Sequence, residues 1–130
     1  GEDLPSHPYA PHNFNENSVV YTATHDNNTV KGWFQGEAHP DDRRRLFAYI
    51  GREVTEEQVS WALIRLALMS VADTAIIPMH DLLGLGAEAR MNRPATTEGN
   101  WEWRCTPEQI APPIIAELAK ITELYGRSSA

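Results

Sequence analysis

Cysteine is nearly missing. The 130 residues hold one, Cys105, so no disulfide forms within the chain, and a reducing compartment fits that usage. Basic charge is also short: 11 Lys and Arg stand against 18 Asp and Glu, a formal net charge of −7. A nucleic-acid partner requires a basic face to displace counterions, and an anionic membrane surface requires one too, so neither is expected. No run of apolar residues is long enough to span a bilayer. The longest, Val59 to Ala72, is interrupted by Ser60, Arg65 and Ser70. The N-terminus has no basic region followed by an apolar one, so no secretory leader is expected in these residues. Internal repeats and low-complexity tracts are absent as well. A cytoplasmic location follows as an expectation. The first residue is Gly1 rather than Met, which predicts a piece of something longer.

What is present is a soluble globular composition, 42% hydrophobic and 22% charged, long enough for one domain with a real core. Its most informative stretch is Ser18 to Asn28, S-V-V-Y-T-A-T-H-D-N-N. Val19-Val20-Tyr21 reads as a short buried strand. His25, Asp26, Asn27 and Asn28 then follow at its C-terminal end. In parallel α/β architectures that end carries the chemistry, because the loops there converge on the binding crevice. Asp26 could equally cap a following helix whose first turn would be Asn27 to Val30.

Residues 1–17 hold three prolines and three asparagines and read as irregular loop. His7, Tyr9, His12 and Phe14 either line a pocket or pack this loop onto the body. A mononuclear metal site from His7, His12 and His25 has no recurring ligand spacing behind it. Thr29 to Gly36 reads as a short helical or irregular segment. Pro40, Asp41 and Asp42 mark the first turn of a helix with Leu46, Phe47 and Ile50 as its apolar face and Gly51 as its stop. Thr55 and Gln58 have capping-box spacing. The helix they start is apolar nearly all round to Ala72, which predicts burial on more than one side. Ala75 to Met79 is a second candidate strand, ending in His80-Asp81. Strand, helices and strand in this order fit successive βα units of a parallel sheet. Asp81 is read as a helix cap or turn former. Pro78 is tolerated only near a strand's end, an edge or a bulge.

Residues 87–104 set Trp101 and Trp103 among Asn, Thr and Glu. Flat apolar rings beside many hydrogen-bonding groups suit a sugar site, or a loop pinned by two tryptophans. Thr106-Pro107-Glu108-Gln109 is another capping box. A last helix is expected from about Pro113 to Tyr125, with Ile114, Leu118, Ile121 and Leu124 or Tyr125 on its apolar face. Gly126 ends it, and R-S-S-A is read as a frayed tail.

Three segments, N-S-V-V-Y-T-A-T-H-D-N, D-L-L-G-L-G-A-E-A-R-M-N-R-P and T-T-E-G-N-W-E-W-R, together with the strand V-A-D-T-A-I-I-P between the first two, carry a resemblance. From about Pro8 to Arg127 the chain resembles the C-terminal part of the 4-alpha-glucanotransferases, or amylomaltases, of glycoside hydrolase family 77. The resemblance implies an α/β fold: the last two βα units, strands 7 and 8, of a TIM (β/α)8 barrel, predominantly helical by residue count. Residues 1–17 would be a loop, 18–104 the two units and a substrate loop, and 105–130 the terminal helix, incomplete as a domain. It implies transfer of α-1,4-glucan segments between maltooligosaccharides by a retaining mechanism with three acidic residues. Asp26 would be the third of these, the transition-state stabiliser. His25 and Asn92 would contact substrate. No redox cofactor and no catalytic metal are implied, because carboxylates do the proton and nucleophile work.

Six positions depart from the family's usual residues: Ala23 for Gly, Asn28 for Asp, His80 for Gln, Arg93 for Thr, Ala95 for Gly and Glu102 for Arg. The nucleophilic aspartate and general-acid glutamate, which the family carries on earlier strands, have no counterpart here. The remainder of the barrel is therefore the expected partner, and the 130 residues alone are expected to be inactive. A rival reading is a non-catalytic glucan-binding or interaction module built on Trp101, Trp103 and the His25-Asp26 loop. A third is a metal-dependent hydrolase using the five histidines.

Overall fold

The apolar sequence from Val59 onward folds as a helix on which three hydrophobic clusters meet. The computed structural model describes residues 11–24 and 26–128. In chain order the elements are β1 (Val19–Tyr21), α1 (Val30–Gly32), α2 (Pro40–Ile50), α3 (Val59–Met69), β2 (Thr74–Ile76), α4 (Met79–Leu82) and α5 (Pro112–Leu124). A π turn, Trp33–Glu37, prolongs α1, and 3-10 turns lie at Pro11–Asn13, Ala87–Ala89 and Pro107–Gln109.

From α3, Val59 and Ala62 join a cluster with Val30, Phe34 and Val54, against which Leu46, Phe47 and Ile50 of α2 pack. Ile64 and Leu68 join Leu82 and Ile121, covered by Ile114, Leu118 and Tyr125 of α5. Ala67 joins Val20 and Ala72, with Phe14 against them. A helix serving three clusters has no face left to be polar, which accounts for its composition. The helix stops at Met69, short of Ala72, where the Ser70 hydroxyl donates back to the Ala67 carbonyl at 2.8 Å.

The two strands pair side by side and parallel, with Val19 opposite Thr74, Val20 opposite Ala75 and Tyr21 opposite Ile76. Adjacent parallel strands joined through helices are what successive βα units require. Two expectations need correction. β2 covers Thr74–Ile76 rather than Ala75–Met79: Pro78 precedes α4 as its N-cap residue, and Met79 is already helical. β1 is buried only at Val20, while Val19 and Tyr21 are about half exposed. They share one face of the sheet with Ile76, which is equally exposed.

Helix ends follow the local signals closely. Pro40 opens α2 and Gly51 closes it at φ 81°, the left-handed region that glycine enters without a Cβ clash. The N-cap is His39, whose ring Nδ1 accepts from the Asp41 N–H, while the His39 N–H donates to the Asp42 carboxylate. At α3 the N-cap is Gln58 rather than the expected Thr55, with no side-chain cap bond. Of the expected box the reciprocal half forms, the Gln58 side chain accepting from the Thr55 N–H at 3.0 Å. Thr106 and Gln109 cap the 3-10 turn Pro107–Gln109 as a complete box. α5 then starts one residue earlier than expected, with Pro112 and Pro113 in its first turn, where proline's missing N–H leaves no bond unmade. Its apolar face takes Tyr125, and Leu124 is exposed.

The tail is not frayed at Arg127. Its guanidinium donates to the carbonyls of Leu68 (2.6 Å), Ser70 (3.0 Å) and Ala72 (2.8 Å), capping the C-terminal end of α3 with a positive charge. Ser129 and Ala130 lie outside the described residues. Among the described residues no helix is long and apolar enough to cross a membrane.

Candidate functional site

The connection from β1 to α1, residues 22–29, is built by its own polar side chains. Asn27 Oδ1 accepts from the Thr24 N–H and from the Thr24 hydroxyl, both at 2.9 Å, and the Asn27 N–H donates to the Thr24 carbonyl. Asp26 thereby lies in a turn just beyond the strand's C-terminal end. His25, the expected sugar contact, lies outside the described residues. Asp26 does not cap α1. The Thr29 hydroxyl does so, accepting from the Gly32 N–H, together with the Asp81 carboxylate, which accepts from the Val30 N–H at 2.8 Å.

Asp26 instead meets the segment after β2. Asn92 Nδ2 donates to Asp26 Oδ1 at 2.7 Å, so two residues 66 positions apart, both singled out from the sequence, come together. Arg90 was not singled out. Its Nη2 donates to the Asp26 carbonyl at 2.8 Å and its Nε to the Asn92 carbonyl at 3.0 Å.

Beyond Asn92 the chain makes a closed loop. Asn100 Oδ1 accepts from the Arg93 N–H and its Nδ2 donates to the Thr96 carbonyl. Ala95 and Trp101 sit at φ 65° and 61°, in the left-handed region where a Cβ is strained, most of all on a bulky residue. Asn92 and residues 96–102 line an open concavity of about 740 Å³. The two tryptophans divide their work. Trp101 is half exposed on this concavity, while the Trp103 ring stands edge-on to His80 at 6.4 Å and pins the loop to the body.

Beneath the loop lies a buried polar pair. Asp81 is fully buried and accepts from the Thr22 hydroxyl at 2.7 Å as well as from Val30. The cap reading therefore holds for a helix other than its own. His80 is 3% exposed. Its Nε2 lies 3.6 Å from the Asp81 carboxylate and makes no hydrogen bond among the described residues. Burial pushes the imidazole below its ordinary 6.5, against the opposing pull of Asp81. Below that value the unfolded chain takes up a proton that the folded chain resists. Stability is therefore full above about pH 6.5 and falls as the pH drops. Urea midpoints between pH 7 and pH 5 should decline, and the decline should flatten in His80→Gln; an equally steep decline in that variant would place the acid loss elsewhere.

At the N-terminal side, His12 Nδ1 lies 2.7 Å from the Tyr49 hydroxyl, and Phe14 packs against the Val20 cluster. Both residues fasten the loop to the body. His7 and Tyr9 lie outside the described residues. Among the described residues no three His, Cys, Asp or Glu side chains converge as a metal-binding group.

Residues 1–110 match a family model described as 4-alpha-glucanotransferase, of glycoside hydrolase family 77. The chain belongs to that family. It is 51% identical over 121 residues to the 4-alpha-glucanotransferase of Synechocystis, covering 92% of this chain and 24% of that protein. It is 43% identical over 123 residues to the chloroplastic/amyloplastic 4-alpha-glucanotransferase of Solanum tuberosum, covering 92% of this chain and 21% of that one. Among solved structures, the amylomaltase of Streptococcus agalactiae in complex with acarbose superposes with a TM-score of 0.84 at 35% identity, over 92% of this chain and 24% of that one. The chain thus spans about a quarter of the length of the 4-alpha-glucanotransferases it matches. Family membership does not by itself assign the expected cytoplasmic location, since the potato relative is a plastid protein.

Proposed function

We propose that these residues form the C-terminal part of a 4-alpha-glucanotransferase barrel, its last two βα units, and that Asp26 is one of the enzyme's three acidic residues. The observation that carries the reading is the Asp26–Asn92 hydrogen bond at the C-terminal end of adjacent parallel strands, in a chain of this family. The half-exposed apolar face of the sheet at Val19, Tyr21 and Ile76 supports a larger sheet continuing beyond two strands. Two strands close no barrel and leave pairing edges open.

In this reading the substrates are maltooligosaccharides and other α-1,4-glucans, and the acarbose held by the streptococcal amylomaltase supports that class. A retaining transfer passes through oxocarbenium-like transition states on either side of a covalent glycosyl intermediate. It needs a nucleophilic carboxylate and an acid about 5 Å apart across the scissile bond. Both come from residues outside these 130. Asp26 accepts hydrogen bonds from the reacting sugar's hydroxyls that strengthen as positive charge develops. Asn92 holds the carboxylate, and His25 touches the same sugar. Trp101, over its concavity, offers a ring face to glucan.

The test is a product assay with maltotriose. The complete enzyme containing this segment should yield glucose and longer maltooligosaccharides, and the 130-residue chain alone should yield neither. Turnover by the isolated chain would overturn the division of carboxylates. A complete natural protein without the two further acids would favour the glucan-binding module.

A further inference from the structure

Arg90 is the junction of three segments that the fold brings together. It follows the 3-10 turn Ala87–Ala89, whose Ala89 is completely buried. That turn is pressed against α1, since a Cβ on Gly32 would fall 2.9 Å from the Ala87 backbone nitrogen. From this rooted position the side chain, 17% exposed, reaches outward. Nη2 donates to the Asp26 carbonyl (2.8 Å) and Nε to the Asn92 carbonyl (3.0 Å). Nη1 lies 3.5 Å from Glu37 Oε1, at the end of the π turn. Glu37 Oε1 also accepts from Asn28 Nδ2 at 3.1 Å, which returns the network to the loop that carries Asp26.

We infer that Arg90 is a positioning residue, which fixes the backbone at Asp26 so that its carboxylate meets Asn92 and the sugar at one distance; this rests on the reading of Asp26 as a catalytic acid. The argument is geometric. Asp26 sits in an exposed turn, and a turn's own bonds leave the direction of its side chain soft. A planar guanidinium with rigidly spaced donors joins two carbonyls and one carboxylate at fixed angles. A lysine ammonium at that place keeps the charge but is a single point on a flexible stem. A displacement of the order of 1 Å at a reacting group costs about 10²-fold in rate.

The experiment compares Arg90→Ala, Arg90→Lys and Asp26→Asn in the complete enzyme, with maltotriose as substrate. Arg90→Ala should lower kcat about 10²-fold with KM within about threefold of wild type. Arg90→Lys should leave a deficit of about tenfold at an unchanged melting temperature. Added guanidinium ions should restore part of the Arg90→Ala rate and none of the Asp26→Asn rate. Arg90→Ala activity near wild type, with Asp26→Asn inactive, would overturn the positioning role and leave the Asp26 reading standing. An active Asp26→Asn enzyme would overturn the Asp26 reading itself. A rate loss without guanidinium rescue, accompanied by a lowered melting temperature, would make Arg90 a merely structural residue. Should Arg90→Ala not fold, Arg90→Lys decides: full activity overturns the role, and the tenfold loss supports it.

Discussion

Asp26→Asn should lower the transfer rate of the complete enzyme by about 10³-fold, equivalent to about 4 kcal/mol of transition-state stabilisation. The exchange keeps the shape of the side chain and an oxygen able to accept from Asn92 Nδ2, a bond now 2.7 Å long. It removes the negative charge. An oxocarbenium-like centre interacts with that charge far more strongly than a ground-state sugar does, so the loss should fall on kcat while KM stays within a few fold. The fold should not notice, because α1 is capped by Thr29 and Asp81 rather than by Asp26. Steady-state kinetics on maltotriose, with a thermal melt as control, separates these effects. A kcat within threefold of wild type would remove Asp26 from the chemistry.

Which parts of this arrangement are legible in the sequence depends on the distance over which the bonds act. Bonds spanning three residues leave a signature: Thr55 with Gln58 and Thr106 with Gln109 are visible as spacings of polar residues just before a helix or turn. So are Pro40 and Gly51 at the two ends of α2. The end of β2 is less legible. The apolar run to Met79 fits strand and helix alike, and Pro78, as the N-cap of α4, decides for the helix. Bonds spanning fifty residues or more leave nothing to read. Arg90 reaches Asp26 across 64 positions, Asp81 reaches Thr22 across 59, and Arg127 reaches Leu68 across 59. Arg90 and Arg127 look, in sequence, like ordinary surface charges, and Asp81 like a helix cap or turn former with no sign of which segment it holds. The resemblance pointed to Asp26 and Asn92 one by one, and only the fold shows that they touch.

Asp81 is where the fold and the proposed site depend most on one side chain, and Asp81→Ala should cost about 3 kcal/mol. Its two oxygens hold both ends of the loop that carries Asp26. One accepts from Thr22, just after β1, and the other from Val30, the first residue of α1. Alanine leaves a buried N–H and a part-buried hydroxyl without acceptors, each costing about 1–3 kcal/mol, and strips α1 of its negative cap. For a chain whose whole stability is of the order of 5–15 kcal/mol, that is a large share. Asp81→Asn should be much milder, at about 1 kcal/mol: its oxygen can accept from Val30 while its amide donates to the Thr22 hydroxyl, which can act as acceptor. Hydrogen exchange at the Val30 amide reads the difference directly. Protection should fall by about 10²-fold in Asp81→Ala and by no more than about tenfold in Asp81→Asn. Equal losses in the two variants would mean that the carboxylate's charge, rather than its two acceptor positions, holds the loop. With the loop released at both ends, Asp26 would lose the two anchors that Asp81 gives its loop, while its bonds to Arg90 and Asn92 would remain. Transfer activity in Asp81→Ala should therefore fall together with Val30 protection.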